Sequence, residues 1–284
     1  FDATIVGLPV GGPYTIQLSI ASATGKWLEF CSVENVLVGD VWIMAGQSNM
    51  EGCGLLADAA EPHPLVHNFY MTDEWKVAAE PLHTLWDTVD PIHTTLRGGP
   101  SGPPVPHERG TGLGLHFGRY LVEKTGVPQG LIAAAHGGTT MTQWDPAKKE
   151  LGGESLYGAM LRRFRKNGSR CAGVIWYQGE SDANEQDASV YEARMKTLIA
   201  SMREDMGNPD LPFVMVQLSR VVNWGPEGAC WWNAIQELQR KLGDTIPNVA
   251  TVPAIDVTLD DSIHVSGRGH GVLGKRVAQA MLAL

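Results

Sequence analysis

Val41-Trp42-Ile43-Met44-Ala45-Gly46-Gln47-Ser48-Asn49-Met50 is the stretch on which the reading of this chain turns. From Val41 to Ala45 it is continuously apolar rather than alternating, the pattern of a strand covered on both faces. The run stops at Gly46, and Ser48 follows where the chain should turn toward a helix. Open α/β sheets bind their ligands at the carboxyl ends of strands. A hydroxyl there would have backbone N–H groups of a helix N-terminus beside it, able to hold an oxyanion. Alone, Gly-Gln-Ser after a strand is an ordinary turn, so its meaning depends on what the rest of the chain supplies.

A serine is a poor nucleophile unless a base takes its proton. Near the other end of the chain, Asp261-Ser262-Ile263-His264 offers an acid and an imidazole three residues apart. Within one loop, that spacing lets the carboxylate orient the ring and stabilise its charge. Asp260 would replace Asp261 only if the loop were re-registered. Taken together, Ser48, Asp261 and His264 point to a serine hydrolase.

The chain has 284 residues, 43% of them hydrophobic and 19% charged, the make-up of a globular protein of one large or two small domains. The net charge is -9 and no Lys/Arg-rich stripe is present, which argues against nucleic acid and anionic membrane as partners. Neutral sugars and small esters remain compatible, as does an anionic sugar met by a local arginine. No window reaches the apolar length of a membrane span, and nothing at Phe1 resembles a signal peptide. Because the first residue is not Met, the start reads as a processed or trimmed end.

Cys31, Cys53, Cys171 and Cys230 lack the paired spacing of a zinc site and read mostly as buried free thiols, with disulfide pairing left open. Asn167-Gly168-Ser169 fits a glycosylation acceptor, a triplet common by chance. No metal or cofactor is implied. His63 and His67, four apart, lack an obvious third ligand, and Pro62 and Pro64 argue against a helix there. Gly110-Thr111-Gly112-Leu113-Gly114 lacks both the preceding strand and the later acidic residue of a dinucleotide-binding loop.

Along the chain, Tyr14 to Ile20 alternates as a half-buried strand, Ala23 to Lys26 turns, and Trp27 to Val36 resumes an extended pattern. Residues 1–38 therefore read as a β-hairpin extension ahead of a main domain, 39–284. Residues 52–110 read as an irregular insertion bordering the active site. After it, apolar runs at 130–135, 173–177, 212–218 and 249–255 alternate with helical faces such as Tyr191, Met195, Leu198, Ile199 and Met202. With the strand at 41–45, this predicts a five-stranded parallel sheet with helices on both faces.

Gly46-Gln47-Ser48-Asn49-Met50, Gly137-Gly138-Thr139, Tyr177-Gln178-Gly179-Glu180-Ser181 and Asp261-Ser262-Ile263-His264 occur in the order seen in SGNH (GDSL-like) hydrolases. More narrowly, residues 39–284 resemble carbohydrate esterases of the sialate O-acetylesterase and acetylxylan esterase type. The segment before Gly39 looks like the last hairpin of the β-sandwich found upstream in sialate O-acetylesterases. The resemblance implies a three-layer, flavodoxin-like fold and metal-free removal of acetyl groups from sugars through an acetyl-enzyme. It also implies a secreted or periplasmic setting. By position, Ser48 would be the nucleophile, His264 the base and Asp261 its orienting acid. Oxyanion donors would be the Ser48 and Gly138 N–H groups, with Gly137 the alternative if the register shifts by one, and a side-chain amide. Many SGNH enzymes place Asn in a Gly-x-Asn-Asp block, where this chain has Gly179-Glu180-Ser181-Asp182. A carboxylate cannot donate unless protonated, so the amide role goes to Gln178 and Glu180 to the loop scaffold. A buried, neutral Glu180 would reverse that choice.

Gln47, Arg109, Trp144, Glu180 and Arg220 are further candidates for contact with substrate. Trp144 could stack on a sugar ring or pack in the core, and Arg109 could meet a substrate oxygen or remain solvated. His136 could line the pocket or pack. The expected partner is an acetylated carbohydrate, with oligomeric state left open. Two rivals remain, a carbohydrate-binding module that has lost catalysis and a lipase- or thioesterase-type member of the same superfamily.

Overall fold

The run from Asp40 to Gly46 is a strand whose residues from Trp42 onward are all buried, and it occupies the middle of the main sheet. The structure, a computed structural model, describes residues 5–99 and 108–284. In chain order the strands are β1 (Gly11–Ala21), β2 (Trp27–Val38), β3 (Asp40–Gly46), β4 (Gly54–Leu55), β5 (Val66–Phe69), β6 (Trp75–Val77), β7 (Arg109–Thr111), β8 (Gln129–Ala133), β9 (Gly173–Tyr177), β10 (Phe213–Val216) and β11 (Val249–Val252). The helices are α1 (Ser48–Glu51), α2 (Pro91–Leu96), α3 (Gly114–Thr125), α4 (Leu156–Lys166), α5 (Glu185–Asp205), α6 (Gly225–Thr245) and α7 (Gly267–Met281).

The main sheet has the order β11-β10-β9-β3-β8-β5-β6 and is parallel except for the antiparallel β5–β6 edge. All five expected strands are present within it. The sheet nevertheless has seven strands, and the added pair comes from the stretch read as irregular. β5 escaped the sequence pattern because it is short and places a polar residue inside. Asn68 is fully buried there, with its Nδ2 donating to the Leu82 carbonyl at 2.9 Å. The part of that stretch from 100 to 107 lies outside the described residues.

Helices flank both faces of the sheet. α3 packs against α7, and α5 against α6. Their stripes are those expected from sequence, with Tyr191, Met195, Leu198, Ile199 and Met202 buried on α5. β1 and β2 form a separate two-stranded ribbon, and β4 pairs with β7 in another. The four cysteines are free, and Cys31 and Cys230 are exposed rather than buried. The Asn167 amide is engaged at both ends, accepting from Trp75 Nε1 and donating to the Arg163 carbonyl.

Charge fastens the insertion to the sheet. Arg163 on α4 is fully buried and donates to the carbonyls of Ala133 at 2.8 Å, Phe69 at 2.7 Å and Tyr70 at 2.7 Å. It also donates to Asp73 at 2.9 Å, while Arg162 bridges Asp73 and Asp90. Such a site is destabilising mainly when one partner is removed, because the others are left buried and unpaired. Arg163→Met should therefore lower unfolding free energy by about 3–5 kcal/mol in urea denaturation. A loss below about 1 kcal/mol would show that apolar packing alone holds the insertion.

Candidate active site

Gly46 ends β3 with φ of +135°, and a Cβ there would lie 2.1 Å from the Tyr177 carbonyl oxygen of β9. Glycine thus permits the two strand ends to touch. Gln47 N–H then donates to that same Tyr177 oxygen at 2.8 Å, and the next residue, Ser48, begins α1. The hydroxyl is delivered at the carboxyl edge, where β3 lies between β8 and β9.

Ser48 Oγ lies 3.1 Å from His264 Nε2, and His264 Nδ1 lies 2.8 Å from Asp261 Oδ2. The other Asp261 oxygen accepts the backbone N–H groups of Ile263 at 3.0 Å and His264 at 2.8 Å. Partial burial opposes ionisation of Asp261. The hydrogen bonds from those two N–H groups and from the His264 ring outweigh it and hold the carboxyl well below its usual range. Arg109 adds a contact, with Nη1 3.0 Å from Asp261 Oδ2 and 3.3 Å from the Cys53 carbonyl. It faces the acid of the His264 loop.

The turn after β8 supplies backbone donors. Gly137 N–H is bound by Glu51 Oε2 at 2.7 Å, so it is spoken for. Gly138 sits at φ of +69° in a left-handed conformation that favours glycine, and no bond from its N–H is found among the described residues. Ser48 N–H, in the first turn of α1, is likewise without a protein acceptor among the described residues.

Five candidates sit differently from expectation. Trp144 is fully buried, edge-on to Trp176 at 5.1 Å with its Nε1 donating to Thr139 Oγ1, so it has no face for a sugar. Gln47 is also buried, and its Oε1 accepts from Ser181 N at 3.2 Å, which ties the turns together rather than reaching substrate. Arg220 is exposed, but its Nη1 donates to the carbonyls of Ile255 and Val257 and tethers that loop. Gln178 is fully buried, with Nε2 donating to the Thr139 carbonyl at 3.0 Å and to Asp182. Glu180 is buried too, and burial raises its carboxyl above the usual range, but its Oε1 accepts from Asn49 Nδ2 at 2.7 Å, which holds it in the loop scaffold and away from substrate.

Asn49 and Glu51 were missed as site residues. Asn49 bonds the chain on both sides of His264, accepting from Val265 N at 2.9 Å and donating to the Ile263 carbonyl at 3.2 Å. No sequence signal pairs residues 214 and 216 positions apart. Glu51 did carry a signal, because three residues after Ser48 on a helix puts it on the same face.

Residues 38–283 match the family of carbohydrate esterases described as sialic acid-specific acetylesterases. The chain belongs to that family. It is a carboxylic ester hydrolase. A protein of Arabidopsis thaliana named as a probable carbohydrate esterase is 29% identical over 266 residues, covering 86% of this chain and 90% of its own length. Human sialate O-acetylesterase is 27% identical over 241 residues, covering 74% of this chain and 45% of that protein. This chain therefore spans under half the length of the human relative. Among solved structures, a carbohydrate acetylesterase of Xanthomonas citri superposes with a TM-score of 0.68 at 27% identity, covering 95% of this chain and 60% of that one.

On the helix that begins at Ser48, Glu51 links pH to stability. Burial pushes its carboxyl from 4.5 up to about 7, against the opposing Gly137 hydrogen bond and the charge of Arg97. A pKa raised in the folded state means that the fold binds the proton more tightly than the unfolded chain does. The associated stability is complete below about 4.5 and is lost as pH rises through about 7. Glu51→Gln keeps an acceptor for Gly137 N–H and removes the titration. From pH 5 to pH 9 it should gain on the parent protein by about 1–3 kcal/mol in thermal or urea unfolding. Parallel stability curves for the two proteins would show that Glu51 has the same pKa folded and unfolded.

Proposed function

We propose that this chain is a serine carbohydrate O-acetylesterase that removes acetyl groups from acetylated sugars through an acetyl-enzyme. The observation that carries the reading is the continuous hydrogen-bonded line Asp261–His264–Ser48, at 2.8 Å and 3.1 Å. His264 Nε2 takes the Ser48 proton as Oγ attacks the acetyl carbonyl. Asp261 keeps Nδ1 protonated and stabilises the imidazolium that forms. As the tetrahedral intermediate collapses, that proton goes to the departing sugar hydroxyl, leaving an acetyl ester on Ser48. Water, deprotonated by His264, attacks this ester, and acetate leaves as Ser48 regains its proton.

The oxyanion is held by the N–H groups of Ser48 and Gly138. Support comes from the absence of an acceptor for either group among the described residues and from the Glu51 bond that occupies Gly137 instead. Gln178 serves this hole indirectly, by holding the Thr139 carbonyl and so fixing the Thr139–Thr140 peptide where the chain leaves the 136–139 turn. The sugar assignment rests on the family, and the substrate class is acetylated xylan or oligosaccharide, or O-acetyl sialate.

Acetate release should be measured across acetyl-xylan, acetylated monosaccharides and O-acetyl sialate, with p-nitrophenyl acetate and octanoate as references. Acetyl substrates should be turned over, and Ser48→Ala should lower kcat by at least about 10³-fold. Octanoate preferred to acetate would sink the acetylesterase reading in favour of a lipase-type one. Sugar binding without turnover, unchanged in Ser48→Ala, would favour a binding module. Activity should also fall in acid as His264 becomes protonated, since imidazolium cannot accept the Ser48 proton. A profile flat through that range would remove His264 as the base.

A further inference from the structure

The base of the proposed triad stands on a loop, and the chain on either side of it is gripped by one side chain. Asn49, immediately after the nucleophile, is fully buried. Its Oδ1 accepts from Val265 N at 2.9 Å, and its Nδ2 donates to the Ile263 carbonyl at 3.2 Å. Residues 263 and 265 bracket His264, so these two bonds set the peptide planes from which the imidazole projects. The second Nδ2 hydrogen goes to Glu180 Oε1 at 2.7 Å. All three hydrogen-bonding positions nearest the loop are thereby filled, and each is satisfied only if the amide faces one way. Turned over, it would set its nitrogen against Val265 N–H and its oxygen against both the Ile263 carbonyl and Glu180.

Glu180 decides that orientation. It follows β9, its residue is 7% exposed, and its other oxygen is buried without a partner among the described residues. A carboxyl oxygen at this place accepts from the amide nitrogen and repels the amide oxygen. The turn that carries it is itself fixed, since Gln47 Oε1 accepts the Ser181 N–H at 3.2 Å.

We propose that Asn49 and Glu180 are a positioning pair for His264, in which Asn49 clamps the backbone on both sides of the imidazole and Glu180 locks the direction of the Asn49 amide. This rests on the serine-esterase reading. The pair touches neither substrate nor reacting atoms and acts on the distance and angle between His264 Nε2 and Ser48 Oγ. A misplacement of about 1 Å at a reacting group is enough for a loss near 10²-fold.

The test uses the full chain with p-nitrophenyl acetate and three variants, Asn49→Ala, Glu180→Ala and Glu180→Gln. Asn49→Ala should lower kcat about 10–100-fold and Glu180→Ala about 10-fold, with KM changed less than about twofold. Glu180→Gln retains an acceptor oxygen and should stay within about threefold of the parent protein. The proton on His264 Nδ1 should give a downfield NMR resonance that is kept in Glu180→Gln and lost or broadened in the two alanine variants. Thermal unfolding separates misfolding from mispositioning, and if Asn49→Ala does not fold, the two Glu180 variants still decide. Wild-type kcat with an unmoved resonance in Glu180→Ala would overturn the proposal. So would Glu180→Gln being as impaired as Glu180→Ala, since the carboxyl's charge or proton would then be what matters. A parent protein without turnover, or a Ser48→Ala variant with full turnover, refutes the esterase reading instead, while the resonance still reports on the clamp.

Discussion

The contact between the ends of β3 and β9 governs where everything else at this edge lies. A Cβ at Gly46 would overlap the Tyr177 carbonyl, so the close approach exists only because residue 46 has no side chain. On the other side of β3, His136 N–H donates to the Gly46 carbonyl at 3.0 Å. One residue therefore joins the exits of three neighbouring strands. The segments that follow them, 47–51, 136–139 and 178–182, are brought into one cluster before any side chain acts. Side chains then lock the turns to each other. Asp182 accepts Met141 N–H through both oxygens, at 3.2 Å and 3.0 Å, and also takes the Gln178 amide. Rigid backbone is what lets N–H groups stay aimed at a developing charge without reorganising.

The ground behind Ser48 is polar yet buried. Burial raises Asp182 to about 6 and Glu51 to about 7, and it lowers His83 and His136 to about 4. His136 and His93 stack with ring centres 5.1 Å apart and share a hydrogen bond between their Nδ1 atoms at 2.9 Å. Such a bond needs one nitrogen protonated and one bare, so two neutral rings with opposite tautomers satisfy it. The carboxyls and imidazoles behind Ser48 thus tend toward neutrality rather than forming a field of fixed charge. In low dielectric the dipoles that remain, the peptide N–H groups, act on an oxyanion more strongly than they would in water.

What could be read from sequence and what could not divide by distance along the chain. β3, β8, β9, β10 and β11 were legible because strands buried on both faces must be continuously apolar. β5 and β6 were not, since Val66-His67-Asn68-Phe69 carries its polarity inward and is covered by α3 and α4, contacts between distant parts of the chain that no local pattern announces. Ser48, Asp261 and His264 each lie in a short motif whose chemistry is visible locally. Trp144 read equally well as a stacking platform or a core residue, and the edge contact with Trp176 that decides the matter spans 32 residues of chain from 144 to 176. Arg109 and Asn49 were harder still, because their partners belong to a loop near the far terminus.

That far loop explains why the insertion matters to the site. Regular structure ends at β11 and resumes at α7, so Asp261 and His264 sit on a loop closed only by the antiparallel bridge of Leu259 and Val265, with Asp260 N–H donating to the His264 carbonyl at 2.9 Å. Its remaining anchors come from outside. Leu55 N–H of β4 donates to Asp260 Oδ2 at 3.1 Å, and Arg109 of β7 reaches Asp261 at 3.0 Å. Val222 N–H donates to the Ser262 carbonyl at 2.9 Å, from the segment after β10. The β4–β7 ribbon brackets residues 52–110, and the Arg163 cluster ties part of that insertion down to the sheet. A chain of contacts thus runs from a buried arginine on α4, through the insertion, to the carboxyl beside His264. An exposed ion pair such as Arg109–Asp261 contributes little by itself. Its weight here is geometric, since with Leu55 it fixes the Asp261 end of the loop while Asn49 fixes the His264 end.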